Sequence, residues 1–284
     1  MGTLSVGLVL AVAGGGAVPD ERSLHLDHVP IAVRDLPAAL AEFRALGFTI
    51  KPGRPHQNGI ENASVKFVDG SYVELITSPG GSDRLTTEYQ EFLRNQEGAA
   101  YVFLRDQPAG AFSSRVLKAG GRREESGPFA FTELPAAWQA ARLQVIQYLA
   151  PASDPAATYQ HPNGARRTVA IWTLVDRGSA RVAQAFGAAS AGPLAFAFEH
   201  RDSEAVGLAV ETCLMFTPRR AGDPARSAAL AILVEVESLR RLPRPVGRLF
   251  SERGPAVWLA PAQMHGVWLG FIERSAWAGH RCGA

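Results

Sequence analysis

The chain has 284 residues, of which 46% are apolar and 20% are charged. This balance is typical of a soluble globular protein, and the length suits two domains of ordinary size. With 29 basic and 27 acidic residues the net charge is only +2, which cannot produce the extended basic surface that nucleic-acid binding requires. The sequence therefore predicts no nucleic-acid partner.

Residues 1–23 differ from the rest of the chain. Residues 4–12 are apolar and small residues follow as far as Gly16, which is roughly the layout of a secretory signal, but the preceding basic residues are missing. The apolar run is also too short and glycine-rich to span a bilayer as a helix. We predict a leader or disordered segment and no membrane partner. The cellular location stays open, with the cytoplasm favoured over export.

The stretch from residue 26 to residue 77 has the order of a βαβββ unit. A strand pattern at 26–33 precedes a helix pattern at 35–46, in which Asp35 is a good N-cap, Pro37 suits the first turn and Gly47 ends the helix. Further strand patterns follow up to residue 77. Strand side chains alternate between the two faces of a sheet. The apolar side chains of these strands fall on one face, against which the apolar side of the helix packs. The other face carries His28, Asn62, Ser64, Lys66, Tyr72 and Glu74, and is either solvent surface or the lining of a cavity.

Weaker copies of this unit recur three times. Residues 105–109 (Arg-Asp-Gln-Pro-Ala) repeat the pattern of residues 34–38 (Arg-Asp-Leu-Pro-Ala), and such recurrence at a fixed spacing indicates tandem units. Strands are predicted at 99–104, 129–132, 143–149, 168–175, 194–198, 206–216, 228–237, 257–260 and 266–272. Helices are predicted at 86–95 and 176–186, with an irregular one at 239–250. A further helix contains Phe112, Val116 and Leu117 at helical spacing and ends at Gly120 and Gly121. The segment after Glu273 is predicted to be poorly ordered.

Four short motifs carry a family resemblance. They are residues 26–36 (LDHVPIAVRDL), the loop with His56 followed by Asn62 and Ala63, residues 69–76 (DGSYVELI) and the turn at 161–165 (HPNGA). Together they resemble the glyoxalase-like subfamily of the vicinal oxygen chelate superfamily, which groups glyoxalases, bleomycin resistance proteins and dioxygenases. The resemblance is strong from about residue 26 to residue 175 and weaker at 259–269.

The resemblance implies an α+β fold. In this fold tandem βαβββ units pair into cupped, half-barrel mixed sheets with helices on the outer face. The expected division is a leader at 1–23, an N-terminal glyoxalase-like domain of two units at 24–164, a degenerate C-terminal domain of two units at 165–275, and a tail at 276–284. The turn at 161–164 marks the boundary between the halves.

The resemblance also implies a divalent metal on the cupped face, held by ligands from the first and last strands of paired units. His28 and Glu74 match one pair of ligands, and His56 or His161, which lie on loops flanking the same face, is the candidate for a third. Imidazole and carboxylate suit zinc, iron, manganese, nickel or magnesium without choosing among them. The alternative is a protein without metal, because the positions that should complete the site carry other residues: Ala99 and Ala170 in place of His28, Gln144 or Ile146 near the position of Glu74, and Gly270 where a glutamate is common.

Two functions follow from this pattern. The first is a metal-dependent lyase, isomerase or dioxygenase acting on a small molecule with vicinal oxygens, with Glu74 and His28 as catalytic groups or ligands. In that function Asn62, Lys66 and Tyr72 bind the substrate. The alternative is a non-catalytic protein that binds or sequesters a small molecule. His28 and His161 can also be interpreted as purely structural histidines. A further interpretation is that the C-terminal half is a structural or homodimer-forming element.

Overall fold

The computed structural model of the chain describes residues 24–54, 56–106, 111–138, 142–149, 154–176, 186, 203–208, 212–243, 249–250 and 256–278. The predicted leader, most of the predicted tail, the predicted strand at 194–198 and nearly all of the predicted helix at 176–186 lie outside these residues. Within the described ranges, no helix is both long enough and apolar enough to cross a membrane.

The N-terminal half contains two successive units. The first comprises β1 (Leu24–Ala32), α1 (Leu36–Ala45), β2 (Lys51–Pro52), β3 (Glu61–Lys66) and β4 (Tyr72–Thr77), and α2 (Arg84–Asn95) connects it to the second. The second comprises β5 (Gly98–Ala99), β6 (Val102–Asp106), α3 (Ala111–Lys118), β7 (Arg122–Ser126), β8 (Phe129–Glu133) and β9 (Leu143–Tyr148). Short 3-10 helices lie at Ala136–Trp138 and Ala156–Tyr159. The predicted order of elements is confirmed, although the sequence missed β7.

The C-terminal half is poorer in helix over its described residues. Its strands are β10 (Ala165–Val175), β11 (Glu204–Gly207), β12 (Cys213–Pro218), β13 (Ala229–Val236), β14 (Leu249–Phe250), β15 (Val257–Leu259) and β16 (Trp268–Glu273). A 3-10 helix at Leu239–Arg241 and the short α4 (Arg274–Trp277) complete it. The single strand predicted at 206–216 is two strands. The prediction of an irregular helix at 239–250 was wrong for the last two residues, which form a strand paired with β15.

The described strands form one mixed sheet of sixteen strands. In the N-terminal half β1 and β6 are antiparallel neighbours at the centre, with β4 parallel to β1 and β9 parallel to β6. In the C-terminal half β10 and β13 form the corresponding central pair, flanked by β12 and β16. The first unit therefore pairs with the second and the third with the fourth. This confirms the α+β class and the tandem arrangement, whereas the domain boundaries stay a prediction.

Strand β5 joins the two halves. Ala99 pairs with Ile31 of β1 on one side and with Ala229 of β13 on the other. Gly98 has a φ of +146°, a conformation that a residue with a Cβ rarely adopts, and the chain turns there before β6 begins. The predicted strand at 99–104 is consequently divided, and Phe103 of β6 pairs with His28 across the two strands.

Helix α1 forms and packs as its sequence predicts. The Asp35 side chain caps it by accepting a hydrogen bond of 2.9 Å from the backbone N–H of Ala38. Leu36, Ala39 and Phe43 are buried in a core that includes the apolar face of β1, β3 and β4. The opposite face of these strands is left uncovered by α1, which is why its polar side chains can form a site.

The equivalent face of the C-terminal half is filled with tryptophan. Trp172 of β10 and Trp258 of β15 meet edge to face at 5.6 Å, and Trp277 of α4, in the segment expected to be poorly ordered, is buried in the same cluster. Gly270 lies beneath Trp258, since a Cβ there would come within 2.5 Å of the indole ring. This packing leaves no room for a glutamate at position 270.

Substituting Gly270→Ala should destabilise the protein by about 1–3 kcal/mol, because the added methyl group overpacks a closed core. Urea unfolding followed by tryptophan fluorescence would measure the change. Gly80→Ala is the matched control, because a Cβ at Gly80 would meet nothing within 4 Å. Equal stabilities of the two variants would contradict the packing described for Trp258.

The turn after the 3-10 helix at Ala156–Tyr159 is tied to the first unit by His161. The backbone N–H of Thr49 donates to Nδ1 of His161 (3.0 Å), and Nε2 donates to the carbonyl oxygen of Lys66 (2.9 Å). The ring is buried and contacts Phe48 and Phe67. Because Nδ1 accepts and Nε2 donates, the neutral tautomer satisfies both bonds, and burial lowers the pKa of His161 below its ordinary value of 6.5. His161 is therefore a structural histidine with no nitrogen left for a metal.

The lowered pKa of His161 makes the stability of the fold depend on pH. Below pH 6.5 the unfolded chain binds a proton at His161 that the folded chain does not, so the free energy of unfolding should fall with decreasing pH until the folded pKa is reached. Above pH 6.5 this contribution is fully present. Urea unfolding between about pH 5 and pH 8 should show a smaller slope for His161→Gln than for the wild type; identical slopes would show that another group controls the dependence.

Candidate functional site

Five of the six predicted site residues lie together on one sheet face, which we call the cup face. His28 of β1 is adjacent to Tyr72 of β4 in the strand register, and Tyr72 in turn pairs with Lys66 of β3. Glu74 and Asn62 lie on the same face and contact each other. The sixth residue, His56, is exposed on the loop between β2 and β3, so the described structure does not bring it into this group.

His28 is oriented by its neighbour Asp27. The register of β1 against β6 shifts between Leu26 and His28, which leaves Asp27 as an extra residue in the strand, as in a β-bulge. The carboxylate Oδ1 of Asp27 lies 2.6 Å from Nδ1 of His28. An N–H on Nδ1 then points at Asp27 and leaves the lone pair on Nε2 available, which is the arrangement that orients both catalytic and metal-binding histidines.

The imidazole ring of His28 is held between two aromatic rings. The rings of Tyr72 and Phe103 stack on its two faces with centroid distances of 4.4 and 4.3 Å and interplanar angles of 8°. Stacking on both sides fixes the ring plane, and the bond to Asp27 fixes its rotation within that plane. His28 is 5% exposed, so its position is determined by packing rather than by solvent.

Nε2 of His28 faces Glu74. The distance from Nε2 to Oε2 of Glu74 is 3.7 Å, and the Glu74 side chain is 12% exposed. The other carboxylate oxygen, Oε1, accepts a hydrogen bond from Nδ2 of Asn62. Glu74 is therefore held in place through one oxygen while the other is directed at the histidine.

Tyr148 and Arg105 of the second unit complete the surroundings of Asp27. The Tyr148 hydroxyl donates to Oδ1 of Asp27 (2.9 Å) and lies 3.4 Å from the Tyr72 hydroxyl. Nη1 of Arg105 is 3.6 Å from Oδ2. Asp27 is fully buried, and a buried carboxylate requires such partners. Burial, reinforced by the charge of Asp27, raises the pKa values of Tyr72 and Tyr148, so both hydroxyls keep their protons at neutral pH.

A second ion cluster borders the cup face at Lys66. Nζ of Lys66 lies 2.7 Å from Oδ2 of Asp154 and 4.9 Å from the centre of the Tyr72 ring, and Lys51 pairs with the other carboxylate oxygen. Burial tends to raise the pKa of Asp154, but the hydrogen bonds from Lys51 and Lys66 outweigh it and lower the pKa to about 2. Lys66 is therefore paired with Asp154 and contacts the cup face at the Tyr72 ring.

The half of the cup face that the second unit supplies is mostly aromatic and apolar. Phe103 lies 6.1 Å from Phe131, and Phe129 lies 5.5 Å from Tyr148. Ile146 belongs to the same cluster, which α2 covers at one end with Tyr89, Phe92 and Leu93. The ligand positions that a symmetrical pair of units would provide are thus occupied by aromatic and aliphatic side chains.

Among the described residues, the cup face brings together two of the three predicted metal ligands. A catalytic transition-metal site uses at least three protein ligands, and the described residues contain no group of three or more His, Cys, Asp or Glu side chains that could hold a metal ion. His28 and Glu74 supply two, and Asp27 is committed to Nδ1 of His28. The set of His28, Glu74 and His56 stays a prediction.

Two clefts open elsewhere on the protein surface. One, of about 600 Å³, lies at the start of α1 and is lined by residues that include Arg34, Asp35 and Arg94. The other, of about 550 Å³, lies between α2 and the strands of the second unit. Neither lining contains His28 or Glu74.

Comparisons with known proteins agree on the family and the fold. Residues 26–189, more than half of the chain, match the model of a family described as a glyoxalase-like domain. No curated protein matches the sequence significantly. Because the similar solved structures are 10–13% identical to the chain, they show the fold alone.

Three of these structures cover most of the chain. A mutant of 4-hydroxymandelate synthase from Streptomyces coelicolor has a TM-score of 0.60 at 10% identity, over 88% of this chain and 92% of that one. A hypothetical protein from Staphylococcus aureus has a TM-score of 0.53 at 10% identity, over 88% and 99%. A xylose isomerase-like TIM barrel/4-hydroxyphenylpyruvate dioxygenase fusion protein has a TM-score of 0.54 at 13% identity, over 89% and 49%.

The sequence did not identify Asp27, Arg105 and Tyr148 as members of the site. Strict alternation along β1 places Asp27 on the face opposite His28, and only the register shift brings the two side chains together. Arg105 and Tyr148 belong to another unit, so their approach depends on the pairing of β1 with β6 and of β6 with β9. The one local signal was the adjacent pair Asp27-His28 at the start of the unit.

Replacing Tyr148→Phe should destabilise the protein by about 1–3 kcal/mol, because the buried Asp27 carboxylate loses a hydrogen-bond donor. Urea unfolding would measure this. Tyr159→Phe is the control, since its hydroxyl lies at the limit of hydrogen bonding, 3.5 Å from Asp154. A loss of stability for Tyr148→Phe no greater than for the control would mean that the bond to Asp27 contributes little.

Proposed function

Because the chain belongs to the glyoxalase-like domain family of the vicinal oxygen chelate superfamily, we propose that its cup face binds a small oxygen-bearing molecule and transfers a proton to or from it. The observation that carries this proposal is the alignment of Asp27, His28 and Glu74, in which Nε2 of His28 faces Oε2 of Glu74 at 3.7 Å. A substrate of the lyase or isomerase type, with an acidic C–H bond beside a carbonyl group, suits this pair.

Glu74 has the geometry of a general base. Its Oε1 is held by Asn62, and its Oε2 faces Nε2 of His28. In the proposed step the C–H bond beside the carbonyl breaks, the electron pair moves onto the carbonyl oxygen, and the proton binds to Glu74. In a 2-hydroxy ketone, the hydroxyl proton then moves to the oxygen that gained charge, and Glu74 returns its proton to the former carbonyl carbon; this completes an isomerisation and consumes no other reactant.

His28 and Tyr72 are suited to stabilise the substrate carbonyl oxygen as it gains negative charge. Asp27 stabilises a proton on Nδ1 of His28, which allows Nε2 to exchange a proton with Glu74 or with the substrate. The raised pKa of Tyr72 keeps its hydroxyl protonated and able to donate a hydrogen bond to an enolate oxygen. Asn62 and Lys66 then act as positioning residues, Asn62 through Glu74 and Lys66 through the Tyr72 ring.

A second candidate function is binding without catalysis. It is favoured by the aromatic wall of Phe103, Phe129 and Phe131, which takes the place of a second pair of polar ligands. A ring-shaped or apolar ligand could stack on such a wall, with its polar end near His28. In that case Glu74 would contribute a hydrogen bond but no chemical step.

The variant Glu74→Gln separates the two functions. It keeps the side-chain shape but removes the basic carboxylate, so it should reduce proton exchange by roughly a hundredfold or more. The measurement is incorporation of deuterium from D2O into a panel of 2-oxo acids and 2-hydroxy ketones, followed by proton NMR. Glu61→Gln, an exposed carboxylate on β3, is the control and should retain full activity.

The outcomes are distinguishable. Exchange that is unchanged in Glu74→Gln would show that Glu74 is not the base. Panel members that bind the wild type and the variant equally, with no exchange in either, would favour the second candidate. His28→Gln should reduce exchange as well. The melting temperature of this variant, compared with that of the wild type, shows whether the stacked ring is needed for folding.

A further inference from the structure

The cleft of about 550 Å³ between α2 and the second unit has features of a binding site that the proton-transfer proposal does not use. We call it the arginine cleft. Its volume falls in the range of small-molecule sites. Its floor includes the buried side chains of Phe92 and Tyr101, and its remaining lining residues are Arg84, Glu88, Glu91, Arg122, Glu133, Leu134, Arg142, Leu143, Gln144 and Arg226.

Most of the charges in the arginine cleft are paired. Arg84 lies 3.2 Å from Glu88 and 3.4 Å from Glu133. Arg122 lies 2.7 Å from Glu133, and Arg226 lies 3.6 Å from Glu91. Three of the four arginines therefore have a carboxylate beside them, and these exposed pairs are individually weak.

Arg142 is the exception. Its Nε donates to the carbonyl oxygen of Ala100 (2.8 Å), and its guanidinium group lies 4.4 Å from the centre of the Tyr101 ring. No carboxylate of the described residues lies within 4.0 Å of it. Arg142 is half-buried, and its backbone bond and aromatic contact hold the guanidinium plane in one orientation. The Tyr101 hydroxyl donates to Glu88, but among the described residues no carboxylate contacts the guanidinium group directly.

A fixed, half-buried guanidinium is costly unless an anion lies beside it. Arginine also presents two parallel N–H donors, which match the spacing of two oxygens of a carboxylate or phosphate group. We infer that the arginine cleft is a binding site for an oxyanion, the carboxylate or phosphate group of a small polar molecule, and that Arg142 is the residue that binds it.

This site is independent of the proposed chemistry on the cup face. It shares no residue with the Asp27, His28 and Glu74 alignment, and Tyr101 and Phe103, whose rings are 5.8 Å apart, lie between Arg142 and His28. Loss of anion binding and loss of proton exchange are therefore expected to result from different substitutions.

The test is calorimetric titration of the full chain with inorganic phosphate and, separately, with acetate and succinate, at constant ionic strength. We expect saturable binding of at least one of them, weakened at least tenfold in Arg142→Gln. Arg142→Lys keeps the charge but not the two parallel donors and should bind with intermediate affinity. Arg94→Gln, an exposed arginine of the other cleft, should bind as the wild type does.

Each result decides the matter. Binding of phosphate alone, of the carboxylates alone or of both, with loss in Arg142→Gln, supports the site and identifies its oxyanion. Absence of binding to the wild type, equal binding by Arg142→Gln, or an equal loss in Arg94→Gln would overturn it. If Arg142→Gln fails to fold, the comparison of Arg142→Lys with the wild type carries the same decision, because an oxyanion site must distinguish the two.

Discussion

The antiparallel pairing of β1 with β6 is the constraint on which the rest of the structure depends. It places the first and second units side by side, and it puts Phe103 directly opposite His28. The register shift at Asp27 within this pairing turns a buried carboxylate toward the histidine. Without the shift Asp27 would point into the apolar core formed by Val29 and Ile31, where an unpaired carboxylate could not remain ionised. The same irregularity therefore accommodates a charge and orients the central residue of the cup face.

The two halves of the chain use one architecture for different purposes. In both halves two antiparallel strands form the centre, and each of them has a parallel strand on its outer side. In the N-terminal half the face opposite the helix carries polar groups at its first unit and aromatic groups at its second. In the C-terminal half the corresponding face is closed by Trp172, Trp258 and Trp277. Large rings fill the volume that a ligand would need on this face, so its described residues contribute stability through burial.

Buried carboxylates in this protein lie beside groups that donate hydrogen bonds or carry positive charge. Glu235 is buried and receives two hydrogen bonds from Arg167, of 2.8 and 2.9 Å. Asp154 is held between Lys51 and Lys66. Asp27 is shared by His28, Tyr148 and Arg105. Arg142 differs from these groups, because it is a half-buried cation with no carboxylate in contact with it among the described residues. Glu74 also differs, because its carboxylate faces a histidine instead of a lysine or arginine.

The sequence by itself determined the repeated unit, the caps and the faces of the strands. Asp35, Pro37 and Gly47 act locally, and period-two alternation is a local property, so the positions of α1, β3 and β4 and the polar face with Glu74 and Asn62 could be predicted. Only the tertiary structure decided which other residues join them. Asp27 depends on a register shift, Arg105 and Tyr148 come from another unit, and His161 forms its bonds with residues more than ninety positions away. These contacts result from strand pairing, and a pattern along one segment contains no information about the partner strand.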